Sequence, residues 1–475
     1  MMPNFSEIQR FLIGTPQPHL RRPDAVVQPF LAKEGKPNID IIRLGQNLAG
    51  TAALREMIAV QSPTHWEKAL AGLTEDVDAI FPVSIPAYPT EIWNSHPQPL
   101  VDRSLPVVFW PLLDYDEADF WRWSARDMLR SLGVEVYIPQ NNREAVSLLK
   151  ALAMKRMLRN SKMVVFGEQN FPWNATAASG RLTQQLGTRI VVRPLKDLRE
   201  RYPTFTTEAV QQVIDERLAR RYTIRDVRGP DLAQAVRTYL AIREVLEEEG
   251  AFGFGLNCFG DLITGGGRDT PCLAQLLLRE EGYIAACDGD FIAMESMALA
   301  SFFLDQPCMM SNMYPLTYVG ALTDHFGDPL SPPVDTLASA RKNMARLAHC
   351  GFVGVVSPEM TPSGKTVLRD WGGTYEIKRD GRGCGADGDL AGDQPVTIIE
   401  LCFDARRLLV ASARMVETTH HKAMPHCETS ALLEFRDLPG FVKHISREHT
   451  VLLYGDAVRD FEILAEVLDL ECLVF

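Results

Sequence analysis

The sequence predicts an α/β fold: two successive parallel-sheet domains, then a mostly antiparallel, barrel-like β domain. Three observations carry this. From residue 38 to about 325, apolar runs of strand length alternate with longer runs of helix length, the grammar of parallel sheets with helical crossovers. Beyond 326 the strand-like runs follow one another without long helices between them. With 475 residues, 46% apolar and 23% charged, the chain has room for two to four domains with sizeable cores.

Residues 1–36, proline-rich and without periodicity, read as an arm. The first α/β domain, at 37–160, has strands at Asn38–Leu44, Val77–Pro82, Pro106–Trp110 and Val134–Ile138. Its helices are Ala49–Val60, Thr64–Leu73, Ala118–Leu132 and Glu144–Arg159. The second, at 161–325, begins with strand Lys162–Phe166, helix Ala175–Leu186 and strand Thr188–Val192. Helix Pro230–Glu249 has proline at its first position and Gly250 behind its last turn, the expected punctuation. Strand Ala251–Leu256 follows, and Thr270-Pro271 opens a helix to about Glu281. Tyr283–Cys287 and Pro307–Met310 have the length of buried strands, and Phe291–Leu304 between them is apolar and free of Gly and Pro. These three read as a βαβ unit. Asp288 and Asn312 then stand at the carboxyl ends of its strands, where open α/β sheets bind ligands. In the β domain, at 326–475, Thr366–Ile377, Pro395–Phe403, Leu408–Met415 and Thr429–Phe435 are strands. The chain closes in βαβ style with helix Phe441–Arg447, strand Thr450–Tyr454, helix Val458–Leu468 and strand Glu471–Phe475.

A formal charge of −12 argues against nucleic-acid binding, which needs clustered cations to neutralise phosphates. The Arg-rich stretch Arg217–Arg228 reads as a solvated helix face. Nine scattered cysteines without a CxxC pair suit reduced thiols in a cytoplasmic protein better than disulfides or structural zinc. The N-terminus lacks the signal-peptide pattern, and no apolar span of about 18 residues occurs, so neither secretion nor a membrane helix is expected.

Four features carry possible chemistry. In Asp288-Gly-Asp290, Asp290 immediately precedes a helix and suits an N-cap, which leaves Asp288 as the freer ligand for a hard cation. His349 and His449 sit at strand ends, as metal ligands, general bases or plain hydrogen-bonded boundary residues. His420, His421, His426 and Cys427 cluster without the partner pair that structural zinc uses. They read as a polar loop, with a hydrolase site as the thinner alternative. Thr264-Gly-Gly-Gly-Arg-Asp269 is Gly-rich but lacks the Lys-Ser/Thr of a P-loop and the GxGxxG register.

Several of these stretches together resemble the L-fucose isomerase/L-arabinose isomerase superfamily. They are Thr270-Pro-Cys-Leu-Ala, Ala286-Cys-Asp-Gly-Asp290, the Pro307–Tyr314 strand and turn, Ala348-His-Cys-Gly351 and Glu448-His-Thr-Val-Leu-Leu-Tyr-Gly-Asp456. The resemblance implies two Rossmann-like domains before a β domain, a Mn²⁺ ion, aldose–ketose interconversion of a small sugar, and a homo-oligomer of three or six subunits. Carried over by position, it implies Asp288, Asn312, His349 and His449 as metal ligands, with Asp288 and Asn312 as the acid/base pair. Here the chain departs from the family. Asp288 stands where a Glu is usual, and Asn312 where a carboxylate is, and an amide cannot carry a proton at neutral pH. Asp290, Glu295, Tyr314 and Asp456 are the possible substitutes or substrate contacts. The altered pair leaves room for an epimerase, a β-elimination, or a catalytically silent sugar-binding relative.

Overall fold

The structure is a computed structural model. It describes residues 20–32, 36–37, 39–85, 92–116, 122–167, 175–257, 270–316, 342–348, 358–361, 366–370, 373–374, 377–378, 383–418 and 430–475. The chain divides into two compact units. The smaller comprises Arg22–Arg159 and Asp460–Leu468, and the larger holds Asn160–Arg459 and Asp469–Phe475. The predicted architecture is observed: parallel α/β sheets followed by a barrel of antiparallel strands. Among the described residues, no helix is long and apolar enough to cross a membrane.

The smaller unit is built on a parallel sheet in the order Ala52–Leu54, Ala25–Ala32, Ala79–Pro82, Val107–Val108, Val136–Tyr137, with Ile58–Val60 also pairing Ala25–Ala32. Residues 25–32 are therefore not part of an arm; they form an inner strand whose Ala25, Val27 and Phe30 are fully buried. Pro29 disguised it, because proline donates no N–H to a ladder. The ladder allows for this. On one side Val27 pairs with Leu54 and Phe30 with Ile58, so the neighbour changes across Pro29. The expected helix at 49–60 is replaced by these two short strands, and the expected strand at 38–44 by helix Ile41–Asn47. Asp40 decides the latter, since its Oδ1 accepts from the backbone N–H of Ile42 at 3.0 Å and of Arg43 at 3.1 Å. Beneath the sheet, Phe30, Trp66 and Trp93 pack edge to face.

The larger unit holds a second parallel sheet in the order Arg189–Arg193, Lys162–Phe166, Gly253–Leu256, Ile284–Ala286. Its barrel closes in the order Gln394–Leu401, His449–Tyr454, Met309–Pro315, Met344–Ala348, Ser430–Phe435, Arg407–Glu417 and back to Gln394–Leu401, every pair antiparallel. Closure leaves no open edge in the ring. Glu471–Val474 adds outside it, parallel to Arg407–Glu417.

The βαβ reading of 283–314 is corrected. Ile284–Ala286 lies in the parallel sheet, whereas Met309–Pro315 is a barrel strand, antiparallel to both neighbours and longer than the apolar run alone suggests. Helix Phe291–Leu304 joins the two layers. It touches Gly253–Leu256 and Ile284–Ala286 on one side, and Gln394–Leu401 and His449–Tyr454 on the other. Buried on both sides, it needs apolar residues around its whole circumference, which is why its sequence shows no polar stripe.

The Arg-rich stretch is only in part a solvated face. Arg220, Arg225 and Arg228 are exposed, but Arg217 sits in a π-helical turn at Ile214–Leu218 and is buried against Glu280 and Glu281.

Candidate active site

Side chains alternate across a strand, so the barrel core fixes which residues face outward. Met309, Met313, Leu347 and Leu452 are in the core. Asn312, opposite both Ala348 and His449, therefore lies with them on the outer face. The N-terminal turn of helix Phe291–Leu304 meets that face.

Asp288 follows strand Ile284–Ala286 in a left-handed conformation (φ 56), as does Gly289 (φ 68), so the chain turns sharply before the helix. The turn packs on Gly255. A Cβ there would lie 3.2 Å from both Gly289 Cα and Met294 Cε, so any larger residue would require these neighbours to shift by a few tenths of an ångström. Asp290 is the N-cap. Its Oδ1 accepts from Ala293 N–H at 2.7 Å, and its Oδ2 lies 2.8 Å from His449 Nδ1 and 2.9 Å from Arg447 Nε. On the far side of the imidazole, Nε2 is 3.4 Å from Asp288 Oδ2. His449 is 1% exposed and the Asp288 side chain 16%, so the carboxylate is the more accessible of the pair.

Burial opposes charge on His449, but hydrogen bonds and charge from Asp288 and Asp290 outweigh it and push the imidazole up to about 10. Burial likewise opposes the Asp290 carboxylate, which Arg447 and His449 nevertheless hold below the usual carboxylate range. Asp290 is thus more than a cap: one oxygen caps the helix and the other orients His449. Sequence reading also missed Arg447. Its place two residues before His449, in a stretch leading into a strand, is the signal that would have found it.

The remaining candidates separate. Tyr314 shares the outer face with Asn312, buried opposite Arg346. Asp456 is exposed and accepts from Val458 N–H at the start of helix Val458–Leu468. It lies beyond the far end of strand His449–Tyr454, whose six residues span on the order of 17 Å. His349, His420, His421, His426, Cys427 and residues 264–269 lie outside the described residues. Among those described, no group of three or more His, Cys, Asp or Glu is placed to hold a metal ion.

Glu295 faces Thr188, whose hydroxyl donates to Oε1 at 3.0 Å, while Oε2 has no hydrogen-bond partner among the described residues. Burial pushes this carboxyl up to about 8. Folding therefore favours the protonated form. The unfolded chain ionises near 4.5 and the folded one near 8, so stability is full at low pH and falls between these values. Glu295→Gln is expected to raise the melting temperature at pH 8, through a gain on the order of 2–4 kcal/mol, and to change it little at pH 4.5. Thermal scans across that range are the check, and an equal effect at both ends would refute the assignment.

Residues 177–302, from the helix after strand Lys162–Phe166 to the end of the Asp290-capped helix, match the L-arabinose isomerase central domain. No curated protein matches the chain. The matched segment carries Asp288 and Asp290 and leads directly into the barrel strand that bears Asn312, and the match supports membership of the arabinose/fucose isomerase superfamily.

Proposed function

We propose that the protein is a divalent-metal-dependent sugar isomerase, interconverting an aldose and a ketose by proton transfer through an enediol. One observation carries the reading: Asp288 Oδ2 and His449 Nε2 face each other at 3.4 Å, with the other ring nitrogen tied to Asp290. That spacing is close to what two neighbouring donors span on one divalent cation with bonds of about 2.0–2.6 Å. A carboxylate behind the ligating histidine is the usual way to fix the ring. Asp288 and His449 would hold the metal, with the Asn312 amide oxygen beside them and His349 as the further ligand the family resemblance implies. When bound, Mn²⁺ would polarise the sugar's carbonyl and make the neighbouring carbon-bound proton more acidic.

The proton itself is the work of the chain. Asp288, ionised, takes it from the carbon next to the carbonyl and returns it to the former carbonyl carbon. Asn312 cannot share this task. Tyr314, on the same face, is a candidate donor to the oxygens. In this reading the protein is a soluble, cytoplasmic homo-oligomer.

The test is a panel of aldoses and ketoses followed by NMR, with protein stripped by chelator and then given Mn²⁺. Conversion only in the presence of metal is expected. Full activity of the stripped protein would sink the metal-dependent mechanism. Asn312 supports one rival, a sugar-binding relative without turnover. Saturable sugar binding in calorimetry, with no conversion of any panel member, would favour it.

A further inference from the structure

We propose that Arg447 is a positioning residue of this site: acting through Asp290, it fixes the His449 ring with Nε2 turned toward Asp288. The inference rests on the proposed roles of Asp288 and His449, but its subject is the ring's orientation, with or without metal.

Asp290 belongs to the turn leaving the parallel sheet, while His449 opens the barrel strand His449–Tyr454 and Arg447 lies in the bend just before it. Both reach the same carboxylate oxygen, at 2.9 and 2.8 Å. The other oxygen is committed to the helix cap. Asp290 therefore cannot swing away from His449 without giving up the cap, the ion pair, or both.

Arg447 is itself held from several sides. Its Nη1 donates to Leu401 O at 2.7 Å and lies 3.7 Å from Glu400 Oε1, and its guanidinium stands over the Phe403 ring at 5.5 Å. Glu400 is fixed in turn, since Oε1 accepts from Ser446 N–H at 2.9 Å and from its hydroxyl at 2.5 Å. Arg447 and Asp290 are both almost completely buried. Nε meets Asp290 as an ion pair without hydrogen-bond geometry, so Asp290 is held by a permanent charge whose place is fixed by the Leu401 bond and the Phe403 ring, a placement lysine cannot reproduce. The order of dependence runs from Glu400 and Phe403 through Arg447 and Asp290 to His449.

Two readouts test this on the full chain. The first is the Nδ1 proton of His449 in metal-free protein, observed by ¹⁵N-histidine NMR and assigned by its loss in His449→Gln. The second is Mn²⁺ affinity by calorimetry. Arg447→Met is expected to speed exchange of that proton and to weaken Mn²⁺ binding about 10- to 100-fold, the usual range for partners behind a ligand. Asp290→Asn should do the same, and the double variant should lose no more than the worse single one. A folded Arg447→Met protein with a protected Nδ1 proton and unchanged affinity would overturn the proposal, as would losses that add. If Arg447→Met does not fold, Arg447→Lys decides: faster Nδ1 exchange supports the proposal and unchanged exchange overturns it. If the wild-type protein binds no Mn²⁺, the metal reading fails, and Nδ1 exchange alone still decides the role of Arg447.

Discussion

Asp288→Asn is expected to lower kcat/KM of the proposed sugar interconversion by roughly 100- to 10,000-fold, the span over which positioned acid/base groups act. The substitution is close to isosteric and removes the charge that would both hold the cation and take the proton. It should not disturb the turn. Asp288 adopts a left-handed backbone conformation, and asparagine is as comfortable there as aspartate. Loss of turnover with an unchanged melting temperature would thus report chemistry rather than misfolding. Steady-state kinetics beside thermal scans are the check, and turnover within a factor of two of wild type would remove Asp288 from the mechanism. With Asn312 in the place of the second carboxylate, no second carboxylate is paired across from His449 among the described residues, so the effect should approach the upper end of that range.

The segments that carry this site differ in how plainly the sequence announced them. Helix Phe291–Leu304 was legible to the residue, because a Gly- and Pro-free apolar run with Asp before it has few other solutions. The strand that follows it was legible in type but not in partner. An apolar run says that a segment is buried, but not which sheet receives it, and Met309–Pro315 went to the barrel. The smaller unit's second neighbouring ladder was hidden twice: by Pro29, and by two three-residue strands whose apolar content also fits a helix. Asp288, Asp290 and His449 could be named because each stands next to an element boundary, whereas Asn312, read as a strand end, lies in the middle of strand Met309–Pro315. That Asp290 would serve a cap, a histidine and an arginine at once could not be read, since it depends on a barrel strand far along the chain meeting the helix start. For Arg447 the sequence offered only its place two residues before His449, since its partner Asp290 is remote along the chain.

Remote partners also set the largest stability effect expected in this chain. Glu281 is 1% exposed and accepts from Arg217 Nη1 at 2.6 Å, from the Tyr239 hydroxyl at 2.5 Å and from Arg243 Nη1. One carboxylate therefore serves two guanidiniums, both nearly inaccessible to solvent. Arginine does not relieve such a situation by losing a proton. Glu281→Gln keeps the shape and removes the charge. It leaves Arg217 to Glu280, at 3.2 Å, and Arg243 to the more exposed Glu247, at 3.0 Å. Removing one member of a buried ion pair typically costs about 3–5 kcal/mol, and here two desolvated guanidiniums are each left with a single carboxylate partner. The expected result is a lower urea midpoint for the larger unit with little change in slope. Asp393→Asn, which breaks the exposed pair with Arg414, is the control and should change stability by less than about 1 kcal/mol. If the two variants shift the midpoint equally, the buried cluster contributes no more than a surface pair. If only Glu281→Gln does, the cluster holds in place the end of helix Cys272–Glu280, from which the chain turns into the strand that leads to Asp288.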